Sequence, residues 1–240
     1  MKLHNFNRIL FAALLIMTML LCLCACGEEQ EVQQTPTTVP PTTNVGIPED
    51  VNTRTAFLGD NLYITDVGNY TGIYMEDGSD EFVSDVLMIV LKNENENAIQ
   101  LARISLEYAD FTANFEVTNL PAGKSVVLLE KDRHEYSSKP FYQAKVNNLS
   151  FFQKPMSLQE DKVALTSYKG AITVENLTEE TLGEVYIYYK NSAQDLLYGG
   201  ITYRARAASG LKPGRKYTVM TNHYNPESCT ILDVQILPVE

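Results

Sequence analysis

Three textures follow one another along the chain. Residues 9–23 form an almost unbroken apolar run behind Lys2 and Arg8, interrupted only by Thr18 and Cys22. Polar residues, threonine and proline then dominate from Gly27 to about Thr53. From about Ala56 onward, short β-branched and aromatic runs are bounded by Asn, Gly, Asp and Pro, which is the pattern of strands and turns. Helical periodicity is nearly absent. Predicted strands cover residues 61–66, 83–91, 102–108, 114–118, 125–129 and 144–152. A second series covers 163–167, 171–174, 184–190, 199–207, 216–220 and 230–237. Short strands at regular spacing predict antiparallel sandwiches.

The two series read as one unit used twice. Val90-Leu91-Lys92-Asn93 leads to Ile104-Ser105-Leu106-Glu107-Tyr108, and Val174-Glu175-Asn176 leads to Val185-Tyr186-Ile187-Tyr188-Tyr189. Each unit then carries a leucine-containing turn, Leu120-Pro121-Ala122-Gly123-Lys124 or Leu211-Lys212-Pro213-Gly214-Arg215, in which proline presets one dihedral and glycine takes the strained one. An apolar strand follows each turn, then a histidine, His134 or His223. The expected fold is all-β, with two tandem antiparallel, immunoglobulin-like β-sandwich domains after a signal peptide and a disordered linker. The expected boundaries are 1–25 for the signal, 26–54 for the tether, 55–156 for the first sandwich and 157–240 for the second.

The start of the chain has the parts of a secretory signal: a charged beginning, a short apolar middle and a small residue before a cut. Leu23-Cys24-Ala25-Cys26 resembles the lipobox of bacterial lipoproteins. That resemblance implies cleavage between Ala25 and Cys26 and a thioether from the Cys26 thiol to diacylglycerol. The expected location is the extracytoplasmic face of a bacterial cell membrane, of the Gram-positive type, with lipid on Cys26 as the membrane contact. The Thr/Pro-rich stretch Thr35-Pro36-Thr37-Thr38-Val39-Pro40-Pro41-Thr42-Thr43 has no apolar periodicity from which to build a core. It reads as a spacer that holds the folded part off the bilayer. The stretches Thr173-Val174-Glu175-Asn176-Leu177-Thr178 and Val185-Tyr186-Ile187-Tyr188-Tyr189-Lys190-Asn191, with the Leu211 turn, resemble small FxLYD-like domains of bacterial surface lipoproteins. Ile187-Tyr188-Tyr189-Lys190-Asn191 stands where that type has Phe-x-Leu-Tyr-Asp, and the type implies no activity.

Composition narrows the function classes. Losing Lys2 and Arg8, with no acid in the same segment, takes the formal charge from -11 to -13. Such a chain, without a basic run, is not expected to bind nucleic acid. Once Cys22 and Cys24 leave and Cys26 carries lipid, Cys229 stands alone and reads as a buried small hydrophobe. No Gly-x-Ser-x-Gly, His-Glu-x-x-His, Gly-x-Gly-x-x-Gly or phosphate loop is present. No catalytic residue, metal site or cofactor is therefore assigned. His134 and His223 read as one structural position used twice. The acidic run Glu76-Asp77-Gly78-Ser79-Asp80-Glu81 reads as a solvated turn rather than a calcium loop. Alternation puts Val185, Ile187 and Tyr189 in the core and sends Tyr186 and Tyr188 outward. A hairpin through residues 191–195 is expected to gather Tyr186, Tyr188, Tyr198, Arg204 and Arg206 on one face, the residue types enriched at recognition sites.

The expectation is thus a non-enzymatic binding or structural module whose ligand is a glycan or an envelope protein. The alternative is an envelope hydrolase using loop carboxylates. Mass spectrometry of the mature protein is expected to find an amino terminus at Cys26 carrying diacylglycerol. An uncut, unmodified terminus would refute the anchor.

Overall fold

The chain is described by a computed structural model over residues 55–238. The predicted signal and the whole of the tether, Cys26 included, lie outside the described residues. Thirteen strands and no helix make up the described part. The first half holds β1 (Ala56–Gly59), β2 (Leu62–Ile73), β3 (Phe82–Asn93), β4 (Ile99–Glu107), β5 (Thr112–Leu120), β6 (Ser125–Leu129) and β7 (Gln143–Phe151). The second holds β8 (Val163–Tyr168), β9 (Ala171–Asn176), β10 (Leu182–Ala193), β11 (Leu196–Leu211), β12 (Lys216–Met220) and β13 (Cys229–Ile236). Each of the twelve predicted strands has a counterpart among β2–β13. Only the short edge strand β1 was not anticipated.

One strand order occurs twice. In the first half β2-β3-β6 lies against β5-β4-β7, and in the second β8-β9-β12 lies against β11-β10-β13. All pairs within these layers are antiparallel. Alternation places Leu87, Ile89, Leu91, Ile104, Leu106 and Phe115 in the first apolar cluster and Ile172, Val174, Val185 and Ile187 in the second. Burying each such side chain stabilises by about 1.5–3 kcal/mol, whereas an exposed ion pair contributes about 0–1 kcal/mol. Apolar burial therefore holds each half, and the surface salt bridges do not.

A buried asparagine staples the same corner of both halves. The amide group of Asn93 donates to the carbonyls of Asn97 (3.0 Å) and Leu120 (3.2 Å), and that of Asn176 donates to Glu180 (2.7 Å) and Leu211 (2.8 Å). Their side-chain oxygens accept the backbone amides of Asn95 and Thr178. Their main chains meet the proline turns alike. Gly123 and Gly214, both at positive φ, donate to Asn93 and Asn176, whose own amides donate to Lys124 and Arg215. These glycines take the left-handed conformation that closes the turn without a Cβ penalty.

The halves share one continuous sheet, β1-β2-β3-β6-β11-β10-β13. Its seam is a short parallel pairing, Leu197 with Val126 and Tyr198 with Val127. Leu197 enters the first apolar cluster. Tyr198 faces the other way, onto a third cluster that includes Tyr70, Met75, Val127 and Leu129.

Asn176→Ala and Asn93→Ala are each expected to lower stability by about 1–3 kcal/mol, the usual effect of leaving buried carbonyls unpaired. Urea denaturation checks this. A loss below 0.5 kcal/mol in both variants would show that the staple is idle.

Candidate functional site

Strands β10 and β11 meet in a hairpin whose turn is Gln194-Asp195, both at positive φ, so the strands run closer to the tip than the sequence suggested. The register pairs Tyr186 with Arg206 and Tyr188 with Arg204. The Arg204 guanidinium sits over the Tyr186 ring, 5.0 Å from its centroid, as a diagonal cross-strand pair. Tyr186 donates its hydroxyl to Glu184 (2.6 Å), and the same carboxylate ion-pairs with Arg206. The bond to Glu184 raises the Tyr186 hydroxyl above its ordinary pKa and keeps it a donor. Tyr188 donates to Gln235 (3.1 Å) on β13. The result is an outward cluster of Tyr186, Tyr188, Arg204 and Arg206, organised by Glu184. The sequence reading passed over Glu184 because its role depends on the cross-strand register.

Tyr198 does not join this face, contrary to the expectation. Between Tyr189, paired with Tyr203, and Asn191, paired with Tyr198, β11 carries four residues, 199–202, opposite the single residue Lys190. This wide bulge breaks the alternation that grouped Tyr198 with the arginines. Lys190 is fully buried and fills the bulge. Its ammonium donates to the carbonyls of Gly199 (2.8 Å), Gly200 (2.8 Å) and Ile201 (2.6 Å). Three acceptors for one nitrogen suit the protonated form, which has three N–H donors. Glu76 approaches the same bulge from the first half. Its carboxylate accepts the amides of Leu129 (2.8 Å) and Gly200 (2.6 Å), so it joins β6 to β11. Burial pushes Glu76 up and Lys190 down from their ordinary pKa values, and the attraction between them opposes both shifts. Gly200 is required here: a Cβ would lie 1.8 Å from the backbone oxygen of Glu116. Thr118 and Thr202 complete the seam with hydroxyl contacts of 3.0 Å.

Three carboxylates of the acidic run, Asp77, Asp80 and Glu81, are exposed, as the solvated-turn reading expects. Glu76 turns inward, Asp77 and Glu81 hold Arg133 at 3.0 and 2.6 Å, and Asp80 lies 3.5 Å from His223. Arg133 also covers the ring of Tyr74, whose hydroxyl donates to the carbonyls of Glu130 and Lys131. Burial pushes that hydroxyl up to about 12, so it stays protonated. The four loop carboxylates thus point to three different places, Asp77 and Glu81 sharing Arg133, rather than to one ion.

The two histidines occupy matching stacks. His134 lies on Phe111 (4.6 Å), which lies on Tyr108; His223 lies on Tyr203 (4.7 Å), which lies on Tyr189. Glu130, Asp132 and His134 are the one group among the described residues whose donor atoms converge enough for a metal ion, within 4.8 Å. Both oxygens of the buried Glu130 are already engaged, by the amides of Asn114 and His134 and by the His134 ring. Cys229 is buried, and burial pushes its thiol up, away from the reactive thiolate. Compared with known protein families, with curated proteins and with solved structures, the chain shows no match.

Lys190→Met leaves three carbonyls and the Glu76 carboxylate without their cation, and is expected to cost about 3–5 kcal/mol at pH 8. Glu76 then has a folded-state pKa raised further above its unfolded value. The folded state binds more protons there, so stability falls as pH rises from the usual carboxylate range towards neutrality. The loss should therefore be smaller at pH 5, as measured by urea denaturation. An equal loss at both pH values would contradict the pairing.

Proposed function

We propose that the chain is a lipid-anchored, extracytoplasmic module that binds a partner and catalyses nothing. Its anchor in this reading is Cys26, its spacer is the Thr/Pro-rich stretch, and its ligand is a glycan or an envelope protein. The repeated strand order and the paired asparagine staples support two tandem immunoglobulin-like units of the FxLYD-like kind.

The observation that carries the binding reading is the outward cluster on β10 and β11. Tyr186 and Tyr188 are fixed by hydrogen bonds to Glu184 and Gln235, and Arg204 is stacked on a ring. Side chains already held in place lose little freedom on binding, so contact energy is not spent on ordering them. Tyrosine and arginine on an exposed strand face, in a strongly acidic chain, fit a recognition surface better than general solubility. The sheet beneath is continuous through the Lys190 bulge, which gives the face a rigid base. The scattered pairing of the loop carboxylates supports a non-catalytic reading.

The double variant Tyr188→Ala, Arg204→Ala is expected to weaken binding at least tenfold in a glycan array and in pull-down from an envelope fraction. Undiminished binding would remove this face from the proposal.

A further inference from the structure

The edge of β6 is occupied. The tip of β11 pairs with Val126 and Val127, and Glu76 takes the amide of Leu129. The bulge of β11 lies against β5 through Thr118 and Thr202. One segment therefore closes the open side of the first half, between β6 and β5.

In the second half β12 stands in the place of β6, and β11 in the place of β5. The asparagine staples fix the correspondence: Gly123 matches Gly214 and Lys124 matches Arg215, so Val126, Val127 and Leu129 match Tyr217, Thr218 and Met220. The carbonyl of Arg215 and the amide of Thr221 are both turned towards the β9 side. By antiparallel alternation the groups of Tyr217 and Val219 face β9, while the amides of Thr218 and Met220 point away from it. Among the described residues no strand pairs with that outer side. Burial records the difference. Val126, Val127 and Leu129 are at most 2% exposed, but Tyr217 is 51% and Met220 71% exposed. A groove of about 330 Å³ runs beside this edge, with Val219, Met220, Tyr203 and His223 among its walls and Arg204 at its rim. Arg204 is exposed and makes no ion pair among the described residues.

We propose that this groove docks an extended segment of another polypeptide, which adds to β12 as a parallel strand in the way that β11 adds to β6. Main-chain hydrogen bonds to Thr218 and Met220 supply the affinity. Apolar side chains, placed as Leu197 and Tyr198 are on β6, cover Tyr217 and Met220, and a carboxylate meets Arg204. The inference deepens the binding-module reading and rests on it: it makes the partner a protein with an acidic, strand-forming segment.

The probe is a fluorescent synthetic peptide with the sequence of residues 195–203, with a second version carrying glutamate at both glycine positions, each titrated into the full chain by anisotropy. Saturable binding at one site is expected, at least tenfold tighter for the glutamate version. Thr218→Pro removes one outward amide and leaves the β9 ladder intact, so it should weaken binding at least tenfold. Met220→Asp, at an exposed position, should do the same without the risk that proline carries for folding. Arg204→Glu should abolish the preference for the glutamate version. Absence of saturable binding, or binding untouched by both β12 variants, overturns the proposal. Neither Thr218 nor Met220 belongs to the Tyr186 face, so a failed titration alongside intact envelope binding sinks the groove and leaves the wider reading standing.

Discussion

A single ammonium group decides how the two halves meet. Lys190 sits among the carbonyls of Gly199, Gly200 and Ile201; without it Gly199 and Ile201 lose that donor, and Gly200 keeps the Thr118 hydroxyl. An unpaired carbonyl in such a place costs more than a hydrogen bond contributes, so the bulge exists only with the lysine in it. Leu197 and Tyr198 pair with β6 while still paired with Ser192 and Asn191 of β10, and the bulge then separates this tip from the register that resumes at Tyr203. Glu76 binds the amide of the same Gly200 whose carbonyl faces Lys190. Opposite charges thus grip the two ends of one residue, and one of them belongs to the other half of the chain.

This arrangement explains why a short parallel contact suffices at the seam. Two residue pairs of ladder would be weak alone. They are flanked by Leu197 in the first apolar cluster, Tyr198 on the third, and the Thr118–Thr202 hydroxyl contact. The outward Tyr and Arg side chains lie on the same two strands just beyond the bulge, so their geometry inherits the stiffness of the seam.

Strand positions were legible because they depend on local alternation. Val185, Ile187 and Tyr189 against Tyr186 and Tyr188 can be read from five letters, and the repeat was visible because both series run through the same order: a strand ending in Asn, an alternating strand, a leucine- and proline-containing turn, an apolar strand and a histidine. The misplacement of Tyr198 came from counting two by two through residues 199–202. The Gly199-Gly200 doublet inside a strand pattern was the available signal of irregular pairing. Glu76 could not have been foreseen. Its hydrogen-bond partner Gly200 lies 124 positions away, and a carboxylate in an acidic run looks the same whether it points inward or out. Glu184 escaped notice for a similar reason, since its link to Arg206 exists only once the register is known. Lys190 offered no local sign, because burial of a lysine is decided by what surrounds it and not by its neighbours in sequence.

The loan of β11 to β6 has a consequence for the order of events in synthesis. The strand that covers the first half's open side is made some seventy residues after that side is complete. During that interval the growing chain presents Val126 to Leu129 as a bare, apolar ribbon, the kind of surface on which neighbouring nascent chains stick. The first half is therefore a ward of the second until elongation has passed Ile201, and chaperone demand on this polypeptide should be concentrated in that window.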